Sequence, residues 1–102
     1  MDEDIFCHFN FESKKIKSDF MFKTSNTVRE IIEKFLRETN SKMDYSPQSI
    51  SFRYFAKILN RDTFLDKPLS KVLKAMDLQQ KNFKITIFET QDIIGGFIID
   101  II

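Results

Sequence analysis

The segment TVREIIEKFLRET, residues 27–39, carries the strongest structural signals in the sequence. Its first four residues fit a capping box, in which the Thr27 hydroxyl and the Glu30 carboxylate bind backbone amides left without partners at a helix start. Apolar residues then recur at spacings of three and four: Val28, Ile31, Ile32, Phe35 and Leu36. This periodicity predicts an amphipathic helix whose apolar face must be covered by another layer.

The residues before this helix predict a β-hairpin. In residues 5–11, Ile5, Cys7, Phe9 and Phe11 alternate with other side chains, which is typical of a strand with one apolar face. A polar turn at residues 12–15 leads to a second alternating stretch at residues 16–23. These two strands begin the layer that the helix can cover.

The residues after the helix complete that layer. Residues 50–54 and 83–87 alternate as strands, and residues 57–59 fit a short strand that ends at a turn. A short second helix is predicted over residues 68–76, with Asp66 as its cap. The order predicts an α+β fold, with one mixed sheet packed on one main helix. The side chains expected inside are Val28, Ile31, Phe35, Phe9, Phe20, Phe52, Ile85 and Ile87.

Composition limits the function classes. The chain has 102 residues and a net charge of +1, with no basic excess of the kind that nucleic-acid binding proteins concentrate on one face. No apolar run approaches the roughly 20 residues of a membrane span, and the acidic N-terminus is unlike a leader peptide. We therefore expect a monomer of the cytoplasm or nucleus, with no nucleic-acid or membrane partner.

Catalytic and metal-binding patterns are missing from the sequence. Cys7 and His8 are adjacent on a strand and point to opposite faces, so they cannot act together as nucleophile and base. Cys7 has the parity of the core, and His8 is expected at the surface. We expect no enzyme activity, no cofactor and no metal.

The order of these elements resembles the ubiquitin family, and the resemblance covers Ile5 to Gly96. It implies a β-grasp fold, with residues 1–4 as an N-terminal extension, residues 5–90 as the domain and residues 91–102 as a tail. The matching motifs are Ile5-Phe6, Thr27-Val28, Ala56-Lys57-Ile58-Leu59, Leu69-Ser70, Met76-Asp77-Leu78 and Gly95-Gly96.

Departures from ubiquitin affect its main binding surface, an aliphatic patch on the outer sheet face. The corresponding positions lie near Asn10, Arg53 and Thr86, so Arg53 places a positive charge where ubiquitin has an aliphatic side chain. We expect proteins that recognise that patch to reject this chain. The tail, with Glu89-Thr90-Gln91, is slightly more similar to that of small ubiquitin-like modifiers.

The Gly-Gly pair suggests two functions. As a modifier, the chain would be cut between Gly96 and Phe97 by a processing protease. Activating and conjugating enzymes would then attach the Gly96 carboxylate to lysines of target proteins. Glycines suit this task because a tail without Cβ atoms can enter a narrow cleft. Alternatively, Gly95 and Gly96 form a joint, and the chain is a non-conjugated interaction module or part of a larger polypeptide.

Other candidate binding residues lie on the sheet. Phe6 and Phe88 have the polar parity of their strands, and Phe55 also has no evident place inside. If Phe6 and Phe88 are neighbours, they form an exposed aromatic patch, although isolated exposed aromatics are also normal. Residues 19–23 are expected to border a groove beside the helix that accepts an extended peptide. The candidate partner-binding residues are therefore Phe6, Arg53 and Phe88.

Overall fold

The structure is a computed structural model that describes residues 2–42 and 44–89. Its strands are β1 (Asp4–Phe11), β2 (Ile16–Lys23), β3 (Ile50–Tyr54), β4 (Lys57–Ile58) and β5 (Asn82–Glu89). Its helices are α1 (Val28–Glu38), α2 (Asp62–Leu65), α3 (Leu69–Val72) and α4 (Ala75–Gln80), and a 3-10 turn joins β1 to β2 at Glu12–Lys14.

The five strands form one mixed sheet in the order β2-β1-β5-β3-β4. The central neighbours β1 and β5 are parallel, and the other pairs are antiparallel. The main helix α1 covers one face of the sheet. This arrangement is a β-grasp, and it confirms the predicted α+β fold.

The capping box at the start of α1 is present as predicted. The Glu30 amide donates to the Thr27 hydroxyl at 3.2 Å, and the Thr27 amide donates to the Glu30 carboxylate at 2.7 Å. The bond from the Thr27 amide, followed by a 3.3 Å bond from the Asn26 side chain, lowers the pKa of the Glu30 carboxyl. The start of α1 is therefore fixed by its own local sequence.

The core lies between α1 and the sheet and is built from aromatic rings. Phe35 of α1 stacks on Phe9 of β1 with ring centroids 4.5 Å apart, and it meets Phe52 of β3 edge-on at 6.1 Å. All the side chains expected inside are buried except Phe20, which packs against the core while partly exposed. Cys7 is buried as predicted.

The region after β4 differs from its prediction. The expected helix over residues 68–76 is two short helices, because the backbone is extended at Leu73 and Lys74. Asp66 does not cap α3, whose N-cap is Pro68 without a side-chain bond. Asp66 instead accepts two hydrogen bonds from the Arg29 guanidinium of α1, at 2.9 and 3.3 Å.

Residues 2–4, which were expected to precede the domain, are hydrogen-bonded to it. The strand β1 begins at Asp4, and Glu3 and Thr24 exchange hydrogen bonds of 3.1 and 2.8 Å. The Ser25 amide donates to the Asp2 carboxylate at 3.1 Å. Within residues 2–42 and 44–89, no helix is both long enough and apolar enough to cross a membrane.

Candidate functional site

The outer sheet face, opposite α1, brings together the three positions that the resemblance assigned to a binding patch. Asn10 of β1 pairs with Thr86 of β5, and Thr86 pairs in turn with Arg53 of β3. The three side chains therefore form one row across the three central strands. A partner that contacts this face would meet all three.

Arg53 gives this row a positive charge. Its side chain is exposed, its Nε donates to the Ser51 hydroxyl at 3.4 Å, and its guanidinium lies 5.6 Å from the centre of the Phe88 ring. Arg53 forms no ion pair with any residue of the described chain. Among the described residues, the Arg53 guanidinium thus has one hydroxyl acceptor and a weak interaction with an aromatic ring, but no carboxylate partner.

Phe6 and Phe88 are not neighbours on the sheet. Phe6 pairs with Met21 and Asn82, at the beginning of β5, whereas Phe88 pairs with Ser51 near the end of β5. Phe6 is 47% exposed and stacks on His8, and Phe88 is only partly exposed. The two rings lie on the same outer face of the sheet but near opposite ends of β5, so a single aromatic patch does not form.

The pair Cys7 and His8 lies as the sequence predicts. His8 points outward, and its Nδ1 is 2.7 Å from the carboxylate of Asp19 on β2. Cys7 points into the core, and its burial raises the pKa of the thiol well above its ordinary value. A buried thiol that stays protonated is a poor nucleophile.

A groove runs between β2 and α1, where a peptide-binding groove was expected. Among the strands of residues 2–42 and 44–89, β2 is at the sheet edge, so its outer backbone groups can pair with an added strand. Charged side chains of both signs from α1 and apolar side chains from β2 face this groove. Its lining residues are Met21, Phe22, Asn26, Glu30, Glu33, Lys34 and Arg37.

The turn between β3 and β4 carries contacts that sequence patterns did not indicate. The Tyr54 hydroxyl donates to the Asp77 carboxylate and accepts a 2.9 Å hydrogen bond from the Lys74 amide. Burial, followed by the bond to Asp77, raises the pKa of Tyr54 to about 12. The next residue, Phe55, is 64% exposed. The alternation in residues 50–54 places Tyr54 inside but contains no signal for partners twenty residues away.

The tail residues Gly95, Gly96 and Phe97 lie outside the described residues. The described chain ends at Glu89 of β5, whose carboxylate is 3.5 Å from the Lys14 ammonium. Within the described chain, no group of three or more His, Cys, Asp or Glu side chains could hold a metal ion.

Neither a comparison with protein-family models nor a search of curated proteins finds a match for this chain.

Proposed function

We propose that this chain is a ubiquitin-like protein modifier, matured after Gly96 and attached through the Gly96 carboxylate to lysines of target proteins. One combination carries the proposal: a β-grasp domain whose last described strand, β5, ends at Glu89 shortly before the only two glycines of the sequence, Gly95 and Gly96. A folded body followed by a thin tail suits enzymes that hold the body and draw the tail into a cleft.

The proposed chemistry uses the chain as a substrate. A protease hydrolyses the peptide bond between Gly96 and Phe97, which frees the Gly96 carboxylate. That carboxylate attacks the α-phosphate of ATP, releasing pyrophosphate, and an enzyme thiol then displaces AMP to form a thioester. A lysine amine of the target displaces the thiol and forms an isopeptide bond. The catalytic groups belong to the processing, activating and conjugating enzymes, which we place in the cytoplasm or nucleus.

Incubation with lysate from the native cells tests this function. Intact-mass measurement should show loss of residues 97–102, and added ATP should produce larger adducts of the chain. Gly96→Ala should reduce both, because a Cβ at the cleavage and attachment point obstructs a narrow cleft. Asp100→Ala is the matched control, since it changes the extension without changing either glycine, and it should behave as the unaltered chain does. An intact tail and no adducts, in lysate that conjugates added ubiquitin, would contradict the proposal.

The groove between β2 and α1 favours a second candidate, a non-conjugated interaction module. An edge strand beside a groove with an apolar side can accept an extended peptide by strand addition. NMR titration with a peptide of consecutive aliphatic residues should shift the amides of residues 19–23, and Met21→Asp should weaken binding. This candidate becomes the better one if the peptide binds there while the tail stays intact in lysate.

A further inference from the structure

Phe55 occupies an unfavourable position in the turn between β3 and β4. Its φ of 54° lies in the left-handed region, which glycine and asparagine adopt more easily than a bulky residue. Its side chain is also 64% exposed. The turn itself requires neither an aromatic ring nor its exposure, and residues held in such a conformation often mark a functional surface.

The Phe55 ring is held in place by its neighbours. It meets the Tyr54 ring edge-on with centroids 4.9 Å apart, and the Lys74 ammonium lies 3.6 Å from its centre. Tyr54 connects this turn to α4 and to the residues just before it, because its hydroxyl bonds to the Asp77 carboxylate and to the Lys74 amide. Lys57 adds a 2.7 Å hydrogen bond to the Val72 carbonyl. A ring fixed in this way loses little freedom when a partner covers it.

The surroundings of the ring are positively charged. A hollow runs from Phe55 to β5 and is lined in part by Arg53, Asp77 and Lys84. Arg53, Lys74 and Lys84 form no ion pair within residues 2–42 and 44–89. Asp77, the acidic residue of the hollow, already accepts the Tyr54 hydroxyl. The hollow therefore offers unpaired cations around one exposed ring.

We propose that Phe55, Arg53, Lys74 and Lys84, hereafter the Phe55 surface, bind an acidic segment of a partner protein that carries one aromatic side chain. The aromatic side chain of the partner would pack on the Phe55 ring, and the flanking carboxylates would pair with the three cations. Aromatic anchors that a partner covers often dominate binding energy, and complementary charges around them add specificity and speed association. A nucleic-acid strand fits less well, because it needs several stacking rings and an extended basic track.

This inference goes beyond the modifier function, since it does not depend on the tail. The test accordingly uses the full chain carrying Gly96→Ala, so that a failure of maturation leaves the outcome unaffected. The probe is an acetylated, amidated heptapeptide with a central phenylalanine flanked on each side by three acidic residues. NMR titration should give saturable shifts at Phe55, Lys74 and Lys84.

Substitutions distinguish the contribution of the Phe55 ring to the Kd from that of the surrounding charges. Phe55→Asn should raise the Kd at least about tenfold, and it should keep the fold because asparagine tolerates a positive φ. Lys15→Asn is the matched control, because Lys15 is exposed and also has a positive φ, of 55°, but lies between β1 and β2, away from this hollow, and the Kd should stay within about twofold. Lys84→Gln should weaken binding by about threefold, whereas Lys42→Gln, in the loop after α1, should leave it unchanged.

Three results of the peptide titration would overturn the proposal. They are the absence of saturable binding, an unchanged Kd for a folded Phe55→Asn chain, and shifts centred on the β2–α1 groove. Tighter binding of an oligouridylate than of the peptide, lost in the Phe55→Asn chain, would reassign the surface to nucleic acid and reject the acidic-segment partner. A peptide with glutamine in place of its acidic residues should bind more weakly than the probe.

Discussion

Asn60 connects three parts of the chain through one buried side chain. Its oxygen accepts from the Phe52 amide at 2.9 Å, and its nitrogen donates to the carbonyls of Tyr45 and Ile50, both at 2.7 Å. The residue is only 1% exposed. In the sequence, Asn60 stands in a turn-like stretch, and nothing local indicates that its partners lie in β3 and in the loop after α1.

Replacing Asn60 should therefore destabilise the fold more than its turn position suggests. Asn60→Ala leaves one amide and two carbonyls without their partners, and each unsatisfied buried group costs about 1–3 kcal/mol. We expect a loss of about 3 kcal/mol in the free energy of unfolding, measured by urea denaturation. Asn82→Ala, at the exposed start of β5, is the control and should change stability by less than about 0.5 kcal/mol. Equal effects of the two substitutions would show that water replaces the Asn60 side chain.

The Tyr54 hydroxyl makes the free energy of unfolding depend on pH in the alkaline range. Its pKa is raised to about 12 in the folded chain, mainly by burial, whereas an exposed tyrosine has a pKa of about 10. Between these values the unfolded chain loses the phenolic proton and the folded chain retains it, so rising pH favours unfolding. The stabilisation is complete below about pH 10 and is lost by about pH 12.

The matched variant is Tyr54→Phe, which lacks the titrating group and the bonds to Asp77 and Lys74. We expect it to be less stable than the unaltered chain at pH 8, with the gap narrowing as pH rises from 10 to 12. Urea denaturation across this range measures the gap, and all other ionisable groups are common to both proteins. A gap that stays constant would mean that the pKa of Tyr54 is not raised in the folded state.

At the scale of elements, α1 is the best-predicted part of the molecule. Its capping box and its apolar spacing are local, and the fold uses both without change. The break between α3 and α4 was not predictable in the same way. It follows from the contact of Lys74 with Tyr54 and from the burial of Leu73, which are decided by the position of β3. The apolar spacing alone predicts one continuous helix through Leu73 and Lys74.

The contact between α1 and the sheet depends on Phe35. Its ring is fully buried between Phe9 and Phe52, so Phe35→Ala should lower the free energy of unfolding by about 3–5 kcal/mol. Thermal and urea denaturation measure the loss. Phe6→Ala removes a similar ring from the exposed face and should cost much less, which separates burial from ring size. Similar losses for both variants would refute the packing role of α1.

At the scale of the whole molecule, the outer face of the sheet should reject proteins that recognise the aliphatic patch of ubiquitin. Burying the Arg53 guanidinium against an apolar partner leaves its charge unpaired, which is strongly unfavourable. NMR titration with a ubiquitin-binding domain should show no saturable shifts. The comparison variant is Arg53→Ile, which restores an aliphatic side chain at this position and should not weaken such binding. Saturable binding centred on Arg53 in the unaltered chain would contradict this expectation.

Some surface features could be predicted from the sequence, whereas those that depend on contacts between distant segments could not. The row of Asn10, Thr86 and Arg53 was predicted from the family resemblance, and the pairing of β1, β5 and β3 places the three residues side by side. The separation of Phe6 from Phe88 required the actual pairing of β1 with β5, which parity on each strand cannot supply. Exposure of Phe55 was anticipated, but its anchoring by Lys74 depends on contacts between distant segments.

The parallel pairing of β1 with β5 also determines how the domain would respond to mechanical force. The register runs from Phe6 beside Asn82 to Phe11 beside Ile87, so tension between Asp4 and Glu89 slides the two strands along each other. All the bonds of that pair then bear the load together, whereas tension between Asp4 and Lys23 opens the antiparallel β1–β2 pair one bond at a time. Single-molecule pulling should give a higher rupture force in the first geometry than in the second. If this domain is attached through its tail, a pull between that attachment and the beginning of β1 would load the sheet in the more resistant of these two geometries.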